Sequence, residues 1–254
     1  MRALLLLFIV GCSGSTGRDK NGTHDSGMQH TDSGEDSIVY PTGDRVLLYY
    51  GHGGSEEAST GEAGFVDIDA HLDATLGLST DHRNYIPDDL SVYRMIGLVG
   101  PGTNSDAVFT PAEIRQFLAV MDAGTRLVLF SDRDHCWTDT AVSLLTDLGV
   151  SLALTDEAAD MNSIIQTDSF NQTHQISEGV YDVRFKEPCW GDPLSGEVLA
   201  QDDQRQPIIL AQRPGLGGEV VLAGDFQFFD DSGYLDYGDN ALLIENMVQV
   251  TAAD

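Results

Sequence analysis

From residue 45 onward the chain alternates short apolar runs with turn residues, and the runs change period as they go. Arg45–Tyr50 is a continuous apolar run that predicts a buried strand, and it feeds the glycine-rich loop Gly51–Gly54. Over Gly64–Leu76 the apolar positions Phe65, Ile68, Leu72 and Leu76 recur every three or four residues, the spacing of one helix face. His82–Ile86 predicts a short strand, and Tyr93–Val99 a longer one that ends in Gly100-Pro101-Gly102. Thr110, Pro111 and Glu113 combine an N-cap, a proline in the first turn and the capping-box glutamate, so a helix starts there and runs to Gly124. Leu127–Phe130 reads as the next strand. Ala141, Val142, Leu144, Leu145 and Leu148 form the apolar face of a further helix, stopped by Gly149.

Strand, helix, strand, helix with tight loops predicts a mostly parallel sheet covered on both faces. Beyond residue 150 the rhythm changes. Val198–Leu199, Pro207–Ala211 and Glu219–Ala223 are short apolar runs between turn residues, which predict antiparallel hairpins at one edge. Asp239 is placed to cap a last helix, Asn240–Val250, that packs through Leu242, Leu243, Met247 and Val250. The expected fold over residues 44–254 is therefore one α/β domain, with a flavodoxin-like, mostly parallel sheet, helices on both faces and an antiparallel hairpin edge in the C-terminal third. Ligands in such sheets bind beyond the carboxyl ends of the strands. The loops there, Gly51–Gly54, Gly100–Ser105 and Ser131–Trp137, make His52, Gly53, Gly54, Pro101, Gly102, Ser131, Asp132 and His135 the candidate pocket residues.

The N-terminus follows a different logic. Arg2 precedes the apolar run Ala3–Val10, too short to span a bilayer, and Gly11-Cys12 follows. Ile9–Cys12 resembles the lipobox of bacterial lipoproteins, which implies removal of residues 1–11 and lipid attachment at Cys12. Ser13 rather than an aspartate after the cysteine favours the outer membrane in that class. Residues 12–43 are rich in Gly, Ser, Thr and Asp and nearly free of apolar side chains before Ile38, so they are expected to form a disordered tether. His24 and His30 within it read as solubilising. Asn21 and Asn171 match the glycosylation acceptor pattern, which a bacterial lipoprotein leaves unused.

Charge narrows the partners. Lys and Arg number 13 against 41 Asp and Glu, a formal charge of −28. Such a field opposes binding to nucleic acid and to anionic lipid head groups, so membrane contact is expected through the lipid anchor only. With Cys12 lipidated, Cys136 and Cys189 remain in an exported, oxidising setting, and a disulfide between them is the default; Cys136 beside His135 as a nucleophile is the alternative. Each has a tryptophan next to it, Trp137 and Trp190. His52, Asp132 and His135 could ligate a catalytic zinc, and Asp225, Asp230, Asp231, Asp236 and Asp239 offer oxygen ligands for calcium; neither set has motif spacing, and capped or solvated turns account for the same residues.

Ile96–Gly102, Thr110–Phe130, Leu144–Val150, Gly218–Asp225 with Phe226–Phe229, and Asp239-Asn240 before the final helix resemble, in order and spacing, the class I glutamine amidotransferase-like superfamily. The likeness is greatest to its non-catalytic bacterial branch of gliding-motility and ABC-transport auxiliary proteins. The resemblance implies a sharp Gly-x-Cys-x-Gly turn after a strand and a late histidine. The turn here reads Phe130-Ser131-Asp132-Arg133-Asp134 and the late loop Asp225–Asp230 holds no histidine, so the activity is not expected to come with the fold. The sequence thus points to a cell-envelope lipoprotein whose domain binds or scaffolds an envelope protein or small ligand, without cofactor or metal. The competing reading is an exported hydrolase that uses His52, Asp132 and His135, with or without a metal.

Overall fold

The computed structural model describes residues 43–54, 64–104, 107–131, 136, 138–214, 218–230 and 234–249. In chain order the first half reads β1 (Arg45–Tyr49), α1 (Val66–Leu76), β2 (Ser79–Arg83), β3 (Tyr93–Val99), α2 (Pro111–Asp122), β4 (Arg126–Phe130) and α3 (Asp139–Asp147). The second half reads β5 (Leu154–Ala158), β6 (Ile164–Thr167), β7 (Ser169–Phe170), β8 (Val183–Lys186), β9 (Cys189–Gly191), β10 (Glu197–Gln201), β11 (Pro207–Gln212), β12 (Val220–Ala223) and α4 (Asn240–Val248). The main sheet runs β2-β1-β3-β4-β12-β11-β10-β7. From β2 to β12 every pairing is parallel, in the order of flavodoxin-type sheets, and from β12 to β7 every pairing is antiparallel.

Alternation along the central strands builds two cores. Val46 and Leu48, Met95 and Val99, Val128 and Phe130, and Val221 and Ala223 face one side, where Phe65, Ile68 and Leu72 of α1 and Leu243, Ile244 and Met247 of α4 cover them. Leu47 and Tyr49, Ile96 and Leu98, Leu127 and Leu129, and Val220 and Leu222 face the other, beneath Ile114, Phe117 and Met121 of α2 and Leu144 and Leu145 of α3. Strands buried on both faces must be apolar at every position, which is why these runs looked continuous rather than alternating.

Several boundaries differ from the expectation. The strand expected at His82–Ile86 lies earlier, at Ser79–Arg83, because the pairing to β1 starts at Ser79. Glu219–Ala223 was expected in a hairpin edge; Val220–Ala223 does pair antiparallel with β11, but its other side pairs parallel with β4, making it the fifth parallel strand. The helix expected over Asn240–Val250 ends at Val248. Asp239 occupies its N-cap position without capping it: the carboxylate accepts from the amides of Tyr181 (2.7 Å) and Asp182 (3.0 Å). The capping box at Thr110 and Glu113 forms as expected, and Gly149 takes the left-handed conformation past α3.

Two small sheets, β5-β9 and β6-β8, flank the antiparallel end. On the side of β8 away from β6, side chains replace a strand. Asn240 Oδ1 accepts from the Arg184 amide (2.9 Å), its Nδ2 donates to the Arg184 carbonyl (3.0 Å), and Asp225 Oδ2 accepts from the Lys186 amide (2.7 Å). Asn240 is wholly buried and also donates to the Phe228 carbonyl, so its burial leaves no polar group unpaired.

At the amino ends of β4 and β12 lies a buried ionic network. Arg126, 1% exposed, donates to Glu219 at 2.9 Å, and its Nη1 donates to the carbonyls of Asn246 and Met247 at the end of α4. A cation there complements the negative end of the helix dipole. His174 Nε2 contacts Glu219 Oε1 at 2.9 Å while its Nδ1 accepts from the Ile176 amide, and the half-exposed Arg213 approaches the same carboxylate at 3.4 Å. Burial pushes the Glu219 carboxyl up. The His174 hydrogen bond and the charges of Arg126 and Arg213 outweigh that and hold it at about 2.

Candidate functional site

The switch point of the strand order lies between β1 and β3, and the loops leaving those strands carry most of the residues expected at the pocket. They are bound to each other. The Gly102 amide donates to the His52 carbonyl (2.9 Å), and Asn104 donates from its amide to the Gly53 carbonyl (2.7 Å) and from Nδ2 to the Gly54 carbonyl (2.9 Å). Glycine is required at position 54, where a Cβ would sit 2.7 Å from the carbonyl oxygens of Tyr50 and Val99. It is also required at position 102, whose φ is +86° and where a Cβ would press on Thr138. Thr138 ties in the next element: its hydroxyl donates to the Pro101 carbonyl (2.6 Å) and accepts from the Ala141 amide as the cap of α3.

His52 sits in the left-handed region at φ 51°. Its Nδ1 is hydrogen-bonded to the Tyr49 hydroxyl, its Nε2 lies 3.4 Å from Glu113 Oε2, and its ring stacks on Phe109 with centroids 4.1 Å apart. Glu113 cannot swing away freely, because the same Oε2 accepts from the Thr110 amide in the capping box. Burial, reinforced by the Glu113 charge, raises the Tyr49 phenol above its ordinary range, which keeps it neutral. Tyr49, Phe109 and Glu113 thus belong to the site, although the sequence pattern placed Tyr49 only in a strand and Glu113 only in a cap and gave Phe109 no role. The available signal was that Tyr49 precedes His52 by three residues; Glu113 could be placed only by the fold.

Ser131 follows β4, with its amide bonded to the Ala223 carbonyl. Its hydroxyl donates to the Cys136 carbonyl (3.0 Å) and lies 3.5 Å from Cys189 Sγ. Cys136 and Cys189 are joined in a disulfide with Cα atoms 5.4 Å apart, which removes the reading of Cys136 as a nucleophile. Trp190 is packed in the core beside it. Beneath the bridge, Leu129, Phe130, Ala141, Leu154 and Leu222 enclose a slot of about 10 Å³, room for about one water. Asp132, His135 and Trp137 lie outside the described residues, as does Cys12, so the convergence of His52 with Asp132 and His135 is not part of the described geometry.

The aspartates considered for calcium are committed elsewhere in part. Asp225 accepts from the Lys186 and Gln227 amides (both 2.7 Å) and Asp239 from those of Tyr181 and Asp182, while Asp231 lies outside the described residues. Among the described residues, no three His, Cys, Asp or Glu side chains converge as a metal site.

The profile of the family described as Domain of unknown function (DUF4350) matches residues 103–248, more than half of the chain. The chain belongs to the DUF4350 family. The expected membership of the amidotransferase-like superfamily is thereby corrected: the matching family is DUF4350, and no amidotransferase-like family profile matches. The motifs that suggested it, a strand ending in Gly-Pro-Gly, a capped helix and a late Gly-Asp, are what a doubly wound sheet needs for its loops and caps, so they report the fold more than the family. No curated protein matches the sequence. Among solved structures, this DUF4350 chain is similar to the mmIFT52 N-terminal domain, at 14% identity with a TM-score of 0.60 over 79% of this chain and 94% of that one. It is also similar to Cytoplasmic Protein STM3548 from Salmonella typhimurium, at 10% identity and a TM-score of 0.54 over 81% of this chain and 98% of that one. A putative ThuA-like protein from Parabacteroides merdae aligns at 13% identity and a TM-score of 0.51, over 84% of this chain and 94% of that one. At these identities the likeness is one of fold.

Proposed function

We propose that this DUF4350 protein is an envelope lipoprotein, lipidated at Cys12 and held at the outer membrane, whose α/β domain binds or scaffolds a partner and performs no chemistry. The observation that carries the reading is the occupied switch point. The Nδ1 of His52 is hydrogen-bonded to Tyr49, its Nε2 faces the Glu113 carboxylate at 3.4 Å, its ring is covered by Phe109, and the nearby Cys136 is tied to Cys189. A catalytic histidine needs a free nitrogen within reach of a substrate proton, and here that reach is spent inside the fold. The lipobox-like Ile9–Cys12 and the apolar-poor segment after it support the anchor and tether.

Labelled fatty acid should enter the wild-type protein, and Cys12→Ala should lose both label and membrane retention; equal retention of the variant removes the anchor from the proposal. Purified protein should leave amide and ester substrates intact. Hydrolysis that disappears in His52→Ala would establish instead an exported hydrolase working through His52.

A further inference from the structure

Among the described residues β6 and β8 pair only with each other, with Ile164 opposite Lys186 and Gln166 opposite Arg184. The Glu187 amide donates to the Ser163 carbonyl at 3.0 Å. By the alternation of antiparallel ladders, residues 163, 165 and 167 therefore bond inward to β8, and the amide and carbonyl groups of Ile164 and Gln166 point away from it. On β8 the same parity turns Arg184 and Lys186 outward, where Asn240 and Asp225 take up their backbone groups. β6 has no such substitute among the described residues. It presents an open edge, flanked by the exposed side chains of Ile164 (48%) and Met161 (68%).

Side chains of directly opposed residues share a face, so Arg184 and Lys186 stand beside Gln166 and Ile164. The Arg184 guanidinium lies over the Tyr237 ring, 3.0 Å from its centroid, and its Nε is buried without an acceptor. Neither Arg184 nor Lys186 forms an ion pair among the described residues, in a chain with 41 acidic side chains. The carboxylates around them have other partners: Asp182 takes the Gln166 side-chain amide (2.9 Å), Glu187 takes the Asn162 amide, and Asp225 takes the Lys186 backbone. The same small sheet thus offers unpaired strand hydrogen bonds, an apolar contact and two unneutralised cations.

We propose that this edge docks an extended acidic peptide segment of a partner protein, which adds as a strand to β6, and whose long carboxylate side chains reach across Ile164 towards the Lys186 ammonium two strand spacings away. Strand addition supplies the backbone bonds, and alternate side chains supply the selectivity. The charge of −28 opposes an acidic ligand at long range, but at physiological salt that field is screened over about 8 Å while a contact at Lys186 is not. The proposal rests on the domain being a binding module and narrows what it binds.

The test uses the full-length protein and a fluorescent peptide of alternating glutamate and valine, about eight residues long, followed by anisotropy and by amide hydrogen exchange at physiological salt. Saturable binding should slow exchange at Ile164 and Gln166. Lys186→Glu, at a partly exposed site, should weaken binding about tenfold or more, and Gln166→Pro should abolish it by removing an outward amide. Equal binding of a lysine-valine peptide, unchanged binding by Lys186→Glu, or protection that arises from self-association of two β6 edges without peptide would each overturn the proposal. Absent protection in a protein that is lipidated and hydrolytically inert refutes this edge alone, whereas hydrolysis of amide or ester substrates refutes the wider reading and leaves the exchange result standing.

Discussion

Single side chains decide more here by what they neutralise than by what they expose. Glu219 is the clearest case, since its folded carboxyl is held at about 2 against an ordinary value of 4.5. A depressed carboxyl stabilises the fold at pH values above its unfolded value, and the benefit disappears as pH falls from about 4.5 to about 2, an effect of roughly 3 kcal/mol. Acid unfolding of the wild type followed by circular dichroism should show that loss, and Glu219→Gln should flatten it. The same variant should cost about 3–5 kcal/mol at neutral pH, because Arg126 is then buried without its carboxylate. A neutral-pH loss below about 1 kcal/mol would show that the α4 carbonyls alone satisfy Arg126. At the switch point, Tyr49→Phe removes the partner of His52 Nδ1 and should cost about 1–3 kcal/mol in urea unfolding. Arg126, Glu219 and His174 are far apart in the sequence, and nothing in their local patterns marks them as one network.

Elements joined by side chains and covalent bonds hold the antiparallel end together. The Cys136–Cys189 bridge closes a sequence separation of 53 residues, and fastens the loop after β4 to β9. By chain entropy, such a closure stabilises the fold by roughly 4 kcal/mol. Protein purified without reductant should resist alkylation at both cysteines, and Cys136→Ala/Cys189→Ala should lower the unfolding midpoint by a corresponding amount; free thiols in the untreated protein would reject the bridge. Sequence patterning served the helices well: the capping box at Thr110 and the αL glycine after α3 were both readable, because caps are local. It served the small strands poorly. β8 has only four residues and is completed on one side by Asn240 and Asp225, so its partners are side chains that no strand periodicity can reveal.

Across the whole molecule the excess of acidic residues sets the response to salt. Self-repulsion among 41 acidic and 13 basic side chains destabilises the folded state most at low ionic strength. The thermal midpoint should therefore rise as sodium chloride increases from millimolar towards about 1 M, where the screening length falls to about 3 Å. A midpoint that falls over that range would mean that specific ion pairs such as Arg45–Asp81 outweigh the net repulsion.

The sequence alone determined the α/β class, the parallel strands β1, β3 and β4 and the existence of all four helices, and it made a bridge between the two domain cysteines the default. Each depends on a periodicity, a cap or a count that neighbouring residues express by themselves. It also brought His52, Pro101, Gly102 and Ser131 to one rim, since strand ends in a parallel sheet must gather there. Only the tertiary structure decided what that rim does with them. Stacking His52 on Phe109, bonding it to Tyr49 and facing it towards Glu113, setting Ser131 near Cys189, and placing Val220–Ala223 between a parallel and an antiparallel neighbour all depend on residues from separate elements. Contacts of that kind are set by packing of one element on another, and packing leaves no local trace in the order of the amino acids.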